Sequence, residues 1–340
     1  MATTRSLAPA RASFVGCVVA GWLLASGGMA LAGQGCPEGA VLQGDAPPAG
    51  LEQWCEMTDL RTGVQFRQGP STAWYAAGRL RQQGAWVNGR MEGPWTQWAP
   101  DGRKEIVADY HAGQLHGRFE QWQQDGRHTL GAYEAGRKAG LWTVWNPSGA
   151  VVARGEYVKG SMSGEWIAET EDGKLLRGPY VAGARHGAFT VWTARRTLLA
   201  AGSFRRGVRE GEWKEYDEAG RLSAEGLYRD DRRVGAWTLY RPDGQKEGRG
   251  LLEAGQRDGR WTEWRTDGSV AEGTYVDGER DGKWRLVAAD GTAVAEGTYR
   301  HGLEHGEWTF FGPDGRAQSR ADYRDGQQVS LVRVAEVTGR

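Results

Sequence analysis

Beyond its opening segment this chain has no long apolar run, it holds only 3 cysteines in 340 residues, and its 43 basic and 43 acidic side chains cancel. The lack of long apolar runs excludes a doubly wound enzyme built on buried parallel strands, and also a helical bundle. Charge balance argues against a general nucleic-acid binder, which shows a basic excess or stripe, so no nucleic-acid partner is expected. Catalytic signatures are missing too: there is no phosphate loop of Walker form and no HExxH. Gly160-Ser161-Met162-Ser163-Gly164 has the outer glycines of a nucleophile elbow but Met162 where the nucleophile belongs. The sequence therefore reads as a non-enzyme without cofactor or metal. What it does have is glycine and tryptophan, 53 and 17 respectively, against 39% hydrophobic residues. That mixture describes many short strands and turns, with aromatic rings supplying much of the burial.

Residues 1–32 differ in kind. Arg5 and Arg11 form a basic start, Phe14 to Ala32 carries no charge, and Ala30-Leu31-Ala32 offers a small-x-small cleavage site. The segment reads as a secretory signal peptide; a retained anchor is the rival, disfavoured by Gly16, Gly21, Gly27 and Gly28. The mature protein would be exported and so periplasmic, outer-membrane-associated or secreted. Cys17 leaves with the signal, and Cys36 and Cys55 remain in an oxidising compartment, where a bridge between them is expected. The competing possibility is a lipoprotein acylated at Cys36. Leu31-Ala32-Gly33 looks like the start of a lipobox, but Gln34 stands where the cysteine belongs, and Gly33-Gln34-Gly35 before Cys36 departs from the pattern.

The rest of the chain repeats itself. A glycine opens a unit every 23 or 24 residues, at Gly69, Gly93, Gly117, Gly140, Gly164, Gly187, Gly211, Gly235, Gly259, Gly282 and Gly306. Two residues on stands an aromatic: Trp95, Phe119, Trp142, Trp166, Phe189, Trp213, Trp237, Trp261, Trp284 and Trp308, with the first unit lacking one. A second aromatic usually follows three residues later, as Trp98, Trp122 and Trp264, and odd spacing in a strand puts the two rings on opposite faces unless a bulge intervenes. Nine residues after each opening glycine comes a turn glycine, replaced by Arg196 in the sixth unit and preceded by Asp in seven others. Asp-Gly predicts a tight two-residue hairpin turn with both residues at positive φ. A second strand then ends in Gly-x-Tyr-x-x-Gly, as at Gly273, Tyr275 and Gly278. All the length variation falls between the turn glycine and that tyrosine, eight residues at Gly102 to Tyr110 and seven at Gly126 to Tyr133. An extra residue inside a paired strand would flip its side chains, so it belongs in a turn or a bulge.

This pattern, GxWxxW, a DG turn, then GxYxxG, resembles the MORN repeat, in the bacterial variant associated with antitoxin-like proteins. The resemblance spans residues 69–326, eleven units in register. It implies an all-β fold: one elongated, twisted antiparallel sheet of stacked hairpins with a groove along one face. Twenty-two strands about 4.8 Å apart would reach roughly 100 Å before twist. Residues 33–68 then form a cysteine-containing N-terminal cap, and residues 327–340 a last strand around Val329 to Val334 and a tail.

Candidate sites are few. His116, His186 and His305 occupy one unit position far apart along the array and cannot share a metal ion; His301 and His305 read as exposed turn residues. The recurring Asp of the DG turns serves the turn rather than calcium, since Ser148 and Ala219 replace it. Fixed recurrence assigns the aromatics to packing before ligand stacking. The least uniform feature is charge: Arg185, Arg195, Arg196, Arg205, Arg206 and Arg209 fall in a stretch without acids, a candidate patch for anionic lipid or polymer. Function reads as an exported scaffold binding protein or membrane surface in the bacterial envelope. An antitoxin-like or immunity-type inhibitor and a carbohydrate-binding module are the alternatives.

Overall fold

The computed structural model describes residues 35–334, and every regular element in them is a β-strand. Twenty-seven strand segments, from Val41–Asp45 to Gln327–Arg333, form one sheet. Each pairs antiparallel with its neighbour in sequence, as Val41–Asp45 with Glu52–Thr58 and Ala317–Arg324 with Gln327–Arg333. Two strands are split: Ala184–Arg185 and Gly187–Trp192 both pair with Leu175–Val181, and Glu279–Arg280 and Gly282–Val287 both pair with Val270–Val276. A strand's place along the sheet is thus its place in the sequence. At about 4.8 Å per strand the array runs on the order of 115 Å before twist. The head is continuous with it, since strand Gln65–Trp74 crosses from the leader into the first unit and Glu52–Thr58 pairs with it. The segment 1–32 and its cleavage site lie outside the described residues.

The tight turns expected at Asp-Gly are found instead at the links between units. Strict two-residue turns with both φ positive join one unit to the next, as at Asn88-Gly89 (φ 49° and 71°) and Ala254-Gly255 (49° and 91°). In the Asp-Gly turns only the glycine is left-handed, Gly102 at φ 91°. There Gly102 N–H donates to Ala99 O at 2.9 Å and Ala99 N–H to Arg103 O at 2.8 Å, a type I turn closed by a left-handed glycine. The physical reason is the aspartate itself: its Oδ1 accepts from the N–H two residues on, 2.9 Å from Arg103 to Asp101, and this holds Asp in a right-handed conformation. The same bond recurs from Gln245 to Asp243 and from Thr292 to Asp290. Arg196 takes the left-handed position without being glycine, at φ 64°.

The length variation resolves into bulges. Units with eight residues between turn glycine and tyrosine break register after the turn, as Gln97 opposite Ile106 is followed by Trp98 opposite Lys104, leaving Glu105 unpaired. Units with seven residues keep an unbroken ladder: Gly117–Trp122 against His128–Tyr133, Gly164–Glu169 against Leu175–Tyr180, and Gly259–Trp264 against Val270–Tyr275. The extra residue is absorbed without turning any downstream side chain to the wrong face.

Candidate functional site: a capped aromatic ladder and the face behind it

Nine of the ten unit aromatics are buried, Trp237 at 0% and Trp261 at 1% exposed, and Phe119 is half-buried. A single sheet has no second layer to do this, so the burial is built from neighbours on the same face. Beneath each indole lies a glycine of the preceding strand. A Cβ on Gly226 would sit 2.4 Å from the Trp237 ring, and on Gly297 2.1 Å from Trp308. This is the first glycine of Gly-x-Tyr; it is there because the ring lies flat on the backbone. Where the position is Ala108, the ring opposite is the smaller Phe119. At the ring's edge the indole N–H donates to the carbonyl of the residue before the tyrosine or leucine, Trp237 to Leu227 O at 3.0 Å and Trp261 to Leu251 O at 2.8 Å. These carbonyls lie where the opening glycine's bulge interrupts the ladder, so the ring fills space and satisfies a backbone acceptor together.

Tyrosines and phenylalanines of the second strands stand between the indoles, giving edge-to-face contacts such as Tyr228 to Trp237 at 5.4 Å and Tyr299 to Trp308 at 5.2 Å. Leu252, itself buried, takes this place between Trp237 and Trp261. Over the rings lie cations from the position two before seven of the eleven opening glycines. Arg185 covers Phe204 at 4.3 Å, Arg209 Tyr228 at 4.1 Å, Arg233 Trp237 at 4.5 Å, Arg257 Trp261 at 4.4 Å and Arg280 Trp284 at 4.3 Å, while Lys138 covers Trp142 at 4.2 Å. Glu263 ties several together, accepting from Arg257 at 2.6 Å, Tyr275 at 2.6 Å and Arg280 at 2.5 Å. Burial works against the Arg280 charge, but the Tyr275 hydroxyl and the Glu263 carboxylate outweigh it and hold its pKa above the ordinary value.

The first unit, which has Ser71 where others have an aromatic, is completed from the head. Trp54 stands opposite Ser71, where later strands have the floor glycine, so large and small residues have changed sides of the pair. Arg67 lies over both Trp54, at 4.7 Å, and Trp86, at 5.3 Å, and the ladder begins there. Cys55 alternates with Trp54 and so projects from the other face, bonded to Cys36 with the two Cα atoms 5.5 Å apart. Pro37 beside it covers Gly69, where a Cβ would lie 2.5 Å from the proline ring.

That other face is differently furnished. The second aromatics lie there: Trp192 lines a shallow cavity of about 560 Å³ with Thr190, Ala201 and Lys214. Trp122 and Trp145 sandwich His128 at 5.2 and 4.9 Å. A threonine row runs beside them, three residues after seven of the opening glycines: Thr72, Thr96, Thr143, Thr190, Thr238, Thr262 and Thr309. Lys283, Arg285, Glu296 and Glu307 with Thr298 and Thr309 line a further cavity of about 660 Å³.

The six arginines of the candidate patch divide. Arg185, Arg205, Arg206 and Arg209 flank the linking turns, whereas Arg195 and Arg196 sit at the opposite edge, a strand length away, roughly 25 Å at about 3.3 Å per residue. Three are engaged internally: Arg185 over Phe204, Arg205 3.4 Å from Glu210, and Arg209 3.0 Å from Asp231. Arg195, Arg196 and Arg206 are exposed and have no ion pair or ring partner among the described residues. The cap position and the floor glycine were the features that sequence reasoning missed. The signal was present as Arg185, Arg209, Arg233, Arg257 and Arg280, all at one unit position.

Residues 209–230 match the family model of the MORN repeat variant. They hold one opening glycine, its tryptophan, a floor glycine and its tyrosine, namely Gly211, Trp213, Gly226 and Tyr228. The chain carries a MORN repeat there, and the units on both sides repeat its construction. No curated protein matches the chain.

Proposed function

We propose that this protein is a non-catalytic binding scaffold exported to the bacterial cell envelope, which holds a partner protein on the face opposite the aromatic ladder. The observation that carries this is the asymmetry of the faces. On the ladder face the large side chains spend their surface on one another: Trp237, Trp261 and Phe189 are fully buried and closed to a stacking sugar. On the other face threonines recur in seven units and second aromatics in nine, neighbouring units lying about 9.6 Å apart, in an open strip suited to an extended protein surface. A repeat sheet of this kind presents an extended surface along which a partner can bind. Export is supported by Arg5, Arg11, the uncharged stretch and Ala30-Leu31-Ala32. Arg195, Arg196 and Arg206 supply a secondary contact to anionic lipid or polymer at the turn edges.

Photo-crosslinking from Thr190 and Thr262 on the open face, against Val191 and Leu239 on the ladder face, tests the reading in the native envelope. One stoichiometric protein adduct from the threonine positions is expected, with a mature chain beginning at Gly33 by mass. Adducts confined to the ladder face, or a full-length chain retained in the cytoplasm, contradict it. A secreted toxin as the captured partner would instead favour the inhibitor role.

A further inference from the structure

The cap position becomes acidic once along the array. In the units that carry a cation there, its guanidinium or ammonium lies over the unit's own indole or the ring that follows. Met91, Leu115 and Met162 are neutral replacements. In the last unit the position is Glu304, in register with Tyr299 as Arg280 is with Tyr275. A carboxylate is the wrong charge for this place, because the face of an aromatic ring is the negative part of its quadrupole. Glutamate is also shorter than arginine, and a cavity of about 180 Å³ lies between Arg280, Tyr299, Glu304, Trp308 and Tyr323, with Arg265 and Arg285 also on its border. Trp308 and Tyr323 have the widest spacing of the ladder contacts, 6.4 Å. Neighbouring Arg280 does not neutralise Glu304. Its guanidinium is bound to Glu263 and to the Tyr275 and Tyr299 hydroxyls, and Glu304 has no ion pair among the described residues.

We propose that Glu304, Trp308 and Tyr323 form a binding site for the guanidinium group of an arginine side chain presented by a partner protein. The site rests on the scaffold reading and names one contact within it. The molecule itself displays the complex five units running, with an arginine lying on the rings; the last unit offers the rings and a counter-ion, and leaves the cation to come from outside. Guanidinium fits better than a compact ammonium because it is planar, stacks on the ring and donates in a fork to the carboxylate.

The full mature chain is titrated with N-acetyl-arginine amide while the Trp308 indole N–H is followed by NMR, its resonance assigned with Trp308→Phe. A saturable shift is expected, absent with the neutral isostere N-acetyl-citrulline amide. Glu304→Gln should weaken binding roughly five-fold. Glu304→Arg should abolish it, since the variant fills its own site, while folding normally and melting at a higher temperature. Equal shifts with arginine and citrulline, undiminished binding by Glu304→Arg, or tighter binding of phosphocholine than of arginine would each overturn the proposal. A chain that yields the crosslinked partner but no arginine shift loses this site alone; one that shifts but captures nothing loses the scaffold reading alone.

Discussion

Trp261 and Thr262 are neighbours in one strand, and they meet opposite fates. The indole is 1% exposed, lies on Gly250, bonds Leu251 O and is covered by Arg257. The threonine points the other way and stays half-buried at an open surface. A one-layer sheet can be folded and still have a face to spare, because most of its core is gathered on one side and partly roofed by its own arginines. Stability and recognition are assigned to alternate residues of the same strand.

The sharpest way to break this comparison is to shorten each side chain in turn. Trp261→Ala should cost about 3 to 5 kcal/mol in denaturant unfolding, whereas Thr262→Ala should stay within about 0.5 kcal/mol. Equal losses would mean that both faces carry the core. The floor supplies the next largest effect: a methyl group on Gly226 would lie 2.4 Å from the Trp237 ring, so Gly226→Ala should destabilise by about 1 to 3 kcal/mol. Trp237 fluorescence in that variant should report a ring lifted from its seat. An unchanged midpoint would remove the floor from the account.

At the edges the expected effects are small. Three arginines of the patch, Arg195, Arg196 and Arg206, are free of internal partners, and they lie on two edges. Replacing all three by Glu should leave the melting temperature nearly unchanged and weaken adsorption to anionic vesicles at low salt, with the difference fading at physiological ionic strength. Identical adsorption would leave these arginines as solvated surface.

Much of this was legible beforehand, and for identifiable reasons. Repeat spacing fixed the strand count and register because the pleat tolerates no slip. The need to keep side chains on their faces confined the extra residue of the 24-residue units to a turn or a bulge, and the structure places it in a bulge, as at Glu105. Odd spacing placed Trp95 and Trp98 on opposite faces. The Cys36–Cys55 bridge was expected from the two cysteines left once residues 1–32 are read as a signal peptide, and the structure forms it. What failed was the turn type. Asp-Gly dipeptides favour two left-handed residues in isolation, but the side-chain bond of Asp101 to Arg103 N–H selects the other turn. Trp54 was hidden for a different reason: exchanging the large and small members of a pair conserves volume while erasing the linear motif at Ser71. In the same way Glu304 passed unnoticed, because its meaning depends on what five arginines do at the same position elsewhere.

Everything above depends on one continuous sheet in which each strand touches only its neighbours. Small-angle X-ray scattering of the mature chain measures that directly. A sheet on the order of 115 Å long should give a radius of gyration of about 30 Å, with a scattering profile characteristic of an elongated particle. A radius near 20 Å, the value of a globular chain of about this length, would mean that the hairpins fold back on one another, and it would contradict the one-layer core on which both the ladder and the open face rest.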